Sequence, residues 1–245
     1  KYYNIRLVRT GYNWRYRGAI HEYIYSPIAE EQLKKGSEKG KEAVIKLSGI
    51  SLFQDRTKDD DKSFKRFSRD EEVLNAEYQN NIVKYEDDPS KIPDPRNLFY
   101  YGQTCMCLMK HEKAYKLYKF RTEQEGFVEE KYHSLFRCGE LANALNHGWE
   151  ESMNWYIKAY DYSSSIFDSP RAEPLFRLAQ YYRDKCWDLS FMYLRRCCEL
   201  VYPENAVLFV DRRVYDYSRW NLMGIVAFYA KQNDIGKNAC IQAIL

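Results

Sequence analysis

The sequence predicts a mainly α protein, a superhelix of stacked antiparallel helix pairs preceded by a few β-strands. Three observations lead there. From Arg69 onward apolar residues recur at helical spacing between short polar breaks. Small residues return at matched places in that stretch, at Gly102, Gly139, Ala179 and Gly224. Before it, the first 25 residues alternate side-chain character with the period of a strand.

The strand region comes first. Ile5 and Leu7 alternate with Arg6 and Val8, and Gly11-Tyr12-Asn13 is a turn signal. Trp14, Tyr16, Gly18 and Ile20 then alternate with Arg15, Arg17, Ala19 and His21. The expectation is a β-hairpin whose second strand crosses residues 14 to 23, with Arg15, Arg17, Ala19 and His21 on one face and Trp14, Tyr16 and Ile20 packed toward the body of a domain. Residues 29 to 42 are polar, with Gly36 and Gly40 among Lys and Glu, and read as an exposed loop. Ala43 to Phe53 is a third strand candidate. Three short strands do not make an independent domain, so residues 1 to 55 are expected to be the trailing edge of a larger sheet. Residues 56 to 68 then form a linker and 69 to 245 the repeats. Asp59-Asp60-Asp61 sits in that linker, does not end an apolar strand, and reads as solvated charge instead of a metal site.

The first helix is expected to start at Arg69, with Ser68 as N-cap and Glu71 and Glu72 in the first turn, and to close at Asp88-Pro89. Beyond Pro95, Leu98, Tyr101, Gly102 and Cys105 are followed by Ala114, Tyr118 and Arg121. Trp220, Met223, Gly224 and Ala227 are followed by Gly236, Cys240 and Ala243, and in both copies the second group begins twelve and sixteen residues after the glycine. That is the W-L-G-Y then A-F-A spacing of a tetratricopeptide unit, in which small residues let two helices cross closely. Two degraded copies lie between. One runs through Leu135, Cys138, Gly139 and Ala142 with Ser152 and Tyr156 one residue late; the other through Leu175, Leu178, Ala179 and Tyr182 with Ser190 and Leu194 one residue early. Anchor spacings of 37, 40 and 45 exceed the ideal of about 34, and the excess is expected as loops at 161 to 170 and 203 to 217.

Composition narrows the function classes. Hydrophobic residues are 45% and charged residues 30% of 245, the balance of a soluble globular chain. The net charge is +3 with both signs interleaved, which gives no nucleic-acid footprint. No run approaches the length of a membrane span, no signal peptide is visible, and the expected location is cytoplasmic. Seven cysteines, an odd number without a CxxC pair, read as reduced packing thiols. Trp155, Tyr156, Tyr160 and Tyr162 at helical spacing read as core, and His111, His133 and His147 have no convergent partner. Arg171 and Glu173, just before Pro174, read as a capping and inter-repeat ion-pair device.

A resemblance extends this. Arg6, Arg9 and Trp14-Arg15-Tyr16-Arg17-Gly18-Ala19-Ile20-His21-Glu22 resemble the G-x-x-H-E end segment of family 2 glycosyltransferases that carry a tetratricopeptide tail. Arg171-Ala172-Glu173-Pro174-Leu175-Phe176-Arg177-Leu178-Ala179 with Tyr181-Tyr182-Arg183 resembles the R-A-E-P-L signature of the same tail. The resemblance implies that the strands end a GT-A α/β domain, whose nucleotide-binding half and catalytic carboxylates lie upstream of Lys1. It implies a nucleotide-sugar donor, a protein or glycan acceptor, and Mn²⁺ or Mg²⁺ in the complete enzyme, with neither metal nor turnover expected in this stretch alone. His21 would be a metal ligand, or else an ordinary outward strand histidine. Arg15 and Arg17 would meet donor phosphate, and Glu22 would orient His21 or meet the acceptor. The alternative from another class is a non-catalytic scaffold whose repeats bind a protein partner.

Overall fold

The structure, a computed structural model, describes residues 8, 10–18, 20–34, 62–87 and 94–244. They form two short strands, ten α-helices and one π-helical turn, the mainly α class read from the sequence. The chain divides into two compact units, residues 1–109 and 110–245.

In the first unit β1 (Arg15–Arg17) pairs antiparallel with β2 (Tyr23–Tyr25), Tyr16 opposite Ile24. The chain therefore reverses again after Gly18, within the stretch expected as one strand; a turn also stands at residues 10–12, and the strand expected before it lies almost wholly outside the described residues. His21 lies in the reversal after Gly18 with φ +55, off the strand where the alternation placed it. Tyr16 is 72% exposed and does not pack into a body. A three-residue strand pair buries one face poorly, and the cross-strand stack of Arg17 on Tyr25, 3.4 Å from the ring centroid, stabilises it instead. Helix α1 (Pro27–Lys34) follows at once, so residues 29 to 34 are helical where a loop was expected. Ser26 is its N-cap: its hydroxyl accepts from the Ala29 amide at 3.1 Å and donates to the Tyr12 carbonyl.

Helix α2 (Lys62–Asp87) begins inside the stretch expected as linker. Ser68 is not a cap; its hydroxyl donates to the Phe64 carbonyl at 3.0 Å, one turn back along a continuous helix. Helix α3 (Pro95–Cys107) starts where Asp94 accepts from the Arg96 amide at 2.9 Å, with Pro95 at the position that needs no amide. α2 packs on α3 through Leu74, and Asn97 donates to Glu77 at 2.8 Å while Tyr101 donates to Asn75 at 2.7 Å. The strand candidates at 5 to 8 and 43 to 53, most of the polar run to residue 42, and Asp59-Asp60-Asp61 lie wholly or largely outside the described residues.

The second unit opens with α4 (His111–Thr122), which packs on α5 (Val128–Ala144). α5 pairs with α6 (Trp149–Ile166), α7 (Glu173–Tyr182) with α8 (Trp187–Glu199), and α9 (Arg219–Tyr229) with α10 (Asn233–Ile244). A π-helical turn, Val214–Ser218, leads directly into α9. This is a TPR-like stack of α-α hairpins. α6 packs on α7 and α8 on α9, which joins each pair to the next.

The crossings explain the recurring small residues. A Cβ at Gly139 would stand 2.7 Å from the Tyr156 ring, and one at Gly224 2.7 Å from the Cys240 sulfur, closer than any carbon can sit. At the third crossing Ser190 donates to the Ala179 carbonyl at 2.8 Å, a bond that needs backbone approach across the pair. The copies read as one residue late and one early are therefore in those registers. Large side chains fill the space around the crossings: Tyr132, Leu141, Leu178 and Leu194 are all essentially inaccessible. Each such burial contributes about 1.5–3 kcal/mol. α6 runs on to Ile166, into the first part of the stretch expected as loop at 161 to 170; Ser163, Ser164 and Ser165 return their hydroxyls to carbonyls three or four residues back, bonding the helix accommodates, and residues 167–170 are the non-helical remainder.

Candidate functional site

The second unit carries a strap, residues 203–213, laid against α5 and α7. Four side chains from and beside those helices read its main chain. Glu129 accepts from the Val207 and Leu208 amides at 3.0 and 2.6 Å. The His133 Nε2 lies 2.9 Å from the Leu208 carbonyl. Arg171 donates to the Leu208 and Phe209 carbonyls at 3.5 and 3.2 Å, and Glu173 accepts from the Asp211 amide at 3.2 Å. Phe209, at φ +41, turns its ring edge-on to His133.

Behind the strap is a fully paired core. Arg171 and Glu173 form a two-point ion pair, Nη2 to Oε1 at 2.8 Å and Nε to Oε2 at 3.2 Å. Tyr215 donates to Glu173 at 3.0 Å and accepts from the Ala172 amide at 2.9 Å. The Arg171 amide donates to Ser163. Of the expected capping and inter-repeat ion-pair device the ion pair is present, but it closes within one segment, two residues apart, and not between repeats; the N-cap of α7, Ala172, has no side-chain cap, and the carboxylate serves the strap instead.

Between strap, α5 and α7 lies a cavity of about 90 Å³ with Tyr132, His133, Phe136, Arg137, Arg177 and Phe209 among its walls. Glu140 pairs with Arg177 at 2.9 Å and with Arg137 at its rim. His133 is 3% exposed. A carbonyl only accepts, so Nε2 carries the proton and Nδ1 is left as a bare acceptor. Burial, then the nearby Arg171 guanidinium, hold its pKa well below that of an ordinary imidazole. Burial, then the Glu173 carboxylate, push the Tyr132 phenol well above its ordinary value, so it keeps its proton.

His133, Tyr132 and Glu129 were missed as site residues. A signal existed: Glu129, His133, Phe136, Arg137 and Glu140 fall at helical spacing on one face of α5, mixing charge into an apolar stripe.

The residues singled out by the family resemblance are elsewhere, in the first unit. Arg15 and Arg17 are exposed on β1, and Glu22 is exposed just before β2. The His21 ring stacks on Tyr100 at 4.0 Å between centroids, and its carbonyl accepts from Arg96 at 2.8 Å. The structure does not bring Arg15, Arg17 and His21 onto one strand face. A Mn²⁺ or Mg²⁺ ion would find a poor donor set: His21 faces an aromatic ring beside a guanidinium, and no group of three His, Cys, Asp or Glu among the described residues could hold a metal. No helix among the described residues is long and apolar enough to cross a membrane.

No protein-family model and no curated protein matches the chain. Among solved structures it is similar to the C-terminal part of a TPR repeat-containing protein from Cytophaga hutchinsonii, with 15% identity over 76% of this chain and 62% of that one and a TM-score of 0.49. The chain thus spans less than two thirds of that relative. It is also similar to MamA, with 12% identity over 79% of this chain and 95% of that one and a TM-score of 0.48. A third is YrrB, described as a TPR protein with an unusual peptide-binding site, with 11% identity over 75% and 79% of the two chains and a TM-score of 0.46.

Proposed function

We propose that this chain is a protein-binding scaffold and that the cleft between α5 and α7 takes an extended stretch of a partner polypeptide. One observation carries the reading. The cleft's side chains already bind extended main chain, amide by carboxylate and carbonyl by imidazole or guanidinium, along residues 207 to 211 of the strap. Beside that bound segment stays open volume walled by aromatic rings and rimmed by the Arg137, Glu140 and Arg177 cluster. At about 90 Å³ that volume admits one small side chain, so a second extended segment lying along the rim can place one there and meet the Arg137, Glu140 and Arg177 cluster. Around it, the buried charges Arg121, Glu129, Arg171, Glu173 and Arg219 are engaged with main chain or each other, which is the work of holding shape.

Nothing observed favours the nucleotide-sugar transferase over this reading; it rests on the sequence resemblance, with His21 as its proposed metal ligand, Arg15 and Arg17 as its phosphate contacts, and Glu22 beside them. The test of the scaffold is selection from a display library of random peptides against the full chain, followed by titration of enriched peptides. The expected result is micromolar binding, weakened at least about tenfold, or some 1.4 kcal/mol, by Arg137→Glu with Arg177→Glu. Failure to enrich any peptide, or affinity indifferent to that pair of substitutions, would reject the cleft as the binding site.

A further inference from the structure

The joints between successive hairpins can be compared position by position, because the crossings fix the register. Tyr156, Leu194 and Cys240 are the matched residues on the second helices, paired with Gly139, Ala179 and Gly224 on the first. Counted from them, Tyr160 of α6 matches Cys198 of α8, while Tyr193 and Arg196 of α8 match Ala239 and Gln242 of α10. In the earlier joint Tyr160 reaches from α6 to α8, its hydroxyl accepting from Arg196 Nε at 2.8 Å. Tyr193 adds a second ring, stacked on Tyr182. In the later joint both phenols are gone. Cys198 and Ala239 stand in their places, and the Cys198 thiol turns to the Arg219 carbonyl at 3.9 Å instead of spanning to α10.

What remains is a hollow of about 270 Å³, open to solvent, floored by Trp220 and Met223 of α9 and walled by Cys198, Ile235, Ala239 and Gln242. Met223 and Ala239 are each 2% exposed, so the apolar surface a ligand can touch belongs to the part-exposed Trp220 and Cys198 and to Ile235, 38% exposed. An apolar cavity of about 150 Å³ admits benzene, so a single aromatic ring fits this one. The charges in the lining, Arg195 and Glu199, lie 3.9 Å apart and answer each other, so the hollow carries no net charge to draw an ion. Gln242 is exposed where the earlier joint has Arg196, and its amide can donate to a hydroxyl as that guanidinium does.

We infer that this hollow receives a tyrosine side chain of a partner polypeptide, its ring on Trp220 and its hydroxyl accepting from the Gln242 amide. Continuity with the earlier joint identifies the occupant: there a tyrosine from the neighbouring helix holds the matched place. Asn238 and Gln242, exposed side by side at the mouth, offer the main chain beside such a tyrosine hydrogen bonds that a free phenol leaves unused. The site lies on α8, α9 and α10 and does not depend on the cleft between α5 and α7.

The full chain, labelled with ¹⁵N-tryptophan, is titrated with p-cresol, the tyrosine side chain as a free molecule, and with toluene, which lacks the hydroxyl. The Trp220 indole resonance, assigned by its loss in Trp220→Phe, reads a ring laid on the floor. The expected result is a saturable Trp220 shift with p-cresol, bound severalfold more weakly by Gln242→Ala, while toluene binds parent and variant alike. Cys198→Tyr, which restores the phenol of the earlier joint, should leave Trp220 unmoved by p-cresol. Should that variant misfold, Gln242→Ala, altered only at an exposed side chain, still decides. A Trp220 resonance that p-cresol leaves unmoved up to its solubility limit, or moves equally in folded Cys198→Tyr, overturns the ring site. Equal p-cresol affinity in parent and Gln242→Ala overturns the hydroxyl contact and with it the choice of tyrosine. Random peptides are then selected on the parent and counter-selected on Cys198→Tyr. Enrichment of tyrosine supports the partner, and p-cresol binding with no such peptide recovered overturns the polypeptide source and leaves a site for a free phenol.

Discussion

Arg171 and Glu173, two residues apart and both almost wholly buried, close an ion pair with two hydrogen bonds and then extend it to the strap, Arg171 through the Phe209 carbonyl and Glu173 through the Asp211 amide. Removing one partner leaves the other as an uncompensated buried charge. Arg171→Met is expected to lower stability by about 3–5 kcal/mol, and the double change Arg171→Met with Glu173→Leu to cost less than the sum of those two single losses. Urea unfolding of the four-member cycle checks it. The single variant should also be cut within residues 203–213 by a protease concentration that spares the parent.

The glycine crossings differ in what they press against. At Gly139 the neighbour is the Tyr156 ring, 4% exposed and wedged at a tilt between Phe136 and Trp149; at Gly224 it is the Cys240 sulfur on an exposed side chain that can rotate away. Gly139→Ala is therefore expected to destabilise by about 1–3 kcal/mol. Gly224→Ala should be near neutral, the gain in helix propensity of about 1 kcal/mol offsetting a small shift of the thiol. Chemical denaturation of both variants decides; equal losses would mean that the second crossing is as rigid as the first.

The neutral state of His133 couples stability to pH. Its pKa is lowered in the folded chain, so the unfolded chain binds a proton first as pH falls. The contribution is complete above the unfolded value of about 6.5 and declines below it by up to about 1.4 kcal/mol per pH unit. His133→Gln, whose amide can still donate to the Leu208 carbonyl, should flatten the slope between pH 6.5 and 5. Thermal unfolding of parent and variant across that range gives the comparison, and parallel curves would contradict the buried neutral imidazole.

Thiol reactivity should follow burial. Burial pushes Cys138 and Cys197 well above the ordinary thiol range, and Cys198 up to about 12, while Cys107 and Cys240 are exposed. Native-state alkylation with iodoacetamide, read by mass spectrometry, should label Cys107 and Cys240 first and spare Cys138 and Cys197 until denaturant is added.

The hairpin stack was legible because close helix crossing leaves few residue choices, so Gly139, Ala179 and Gly224 stand out of the sequence together with their partners one residue late, one early and in step. The length of the strand from Trp14 was misread because its alternation runs unbroken to Ile20, and period alone does not say where the chain reverses; Gly18, at φ +97, stands where β1 ends. Ser68 looked like a cap because a serine bonding back inside a helix has the same local sequence as one that starts it. Of the cleft, Arg171 and Glu173 were visible as a pair. Their third partner, the strap, was read as a loop along an edge, since main-chain contacts to residues 207 to 211 leave no side-chain pattern for a reader to find.

A stack of hairpins that touch only their neighbours behaves as a one-dimensional array, whose end units fray independently. The bonds from Glu129 to the Val207 and Leu208 amides reach across 78 and 79 residues and pass over the whole α7/α8 pair. They tie the segment entering the last hairpin to the one that opens the row. Peeling α9 and α10 from the end then strains bonds on α5, so the row is expected to melt as one cooperative block instead of repeat by repeat. The same long reach raises the average sequence separation of contacts, and with it the entropy that must be surrendered before the final bonds form, which should make this unit a slower folder than an unstrapped array of equal length.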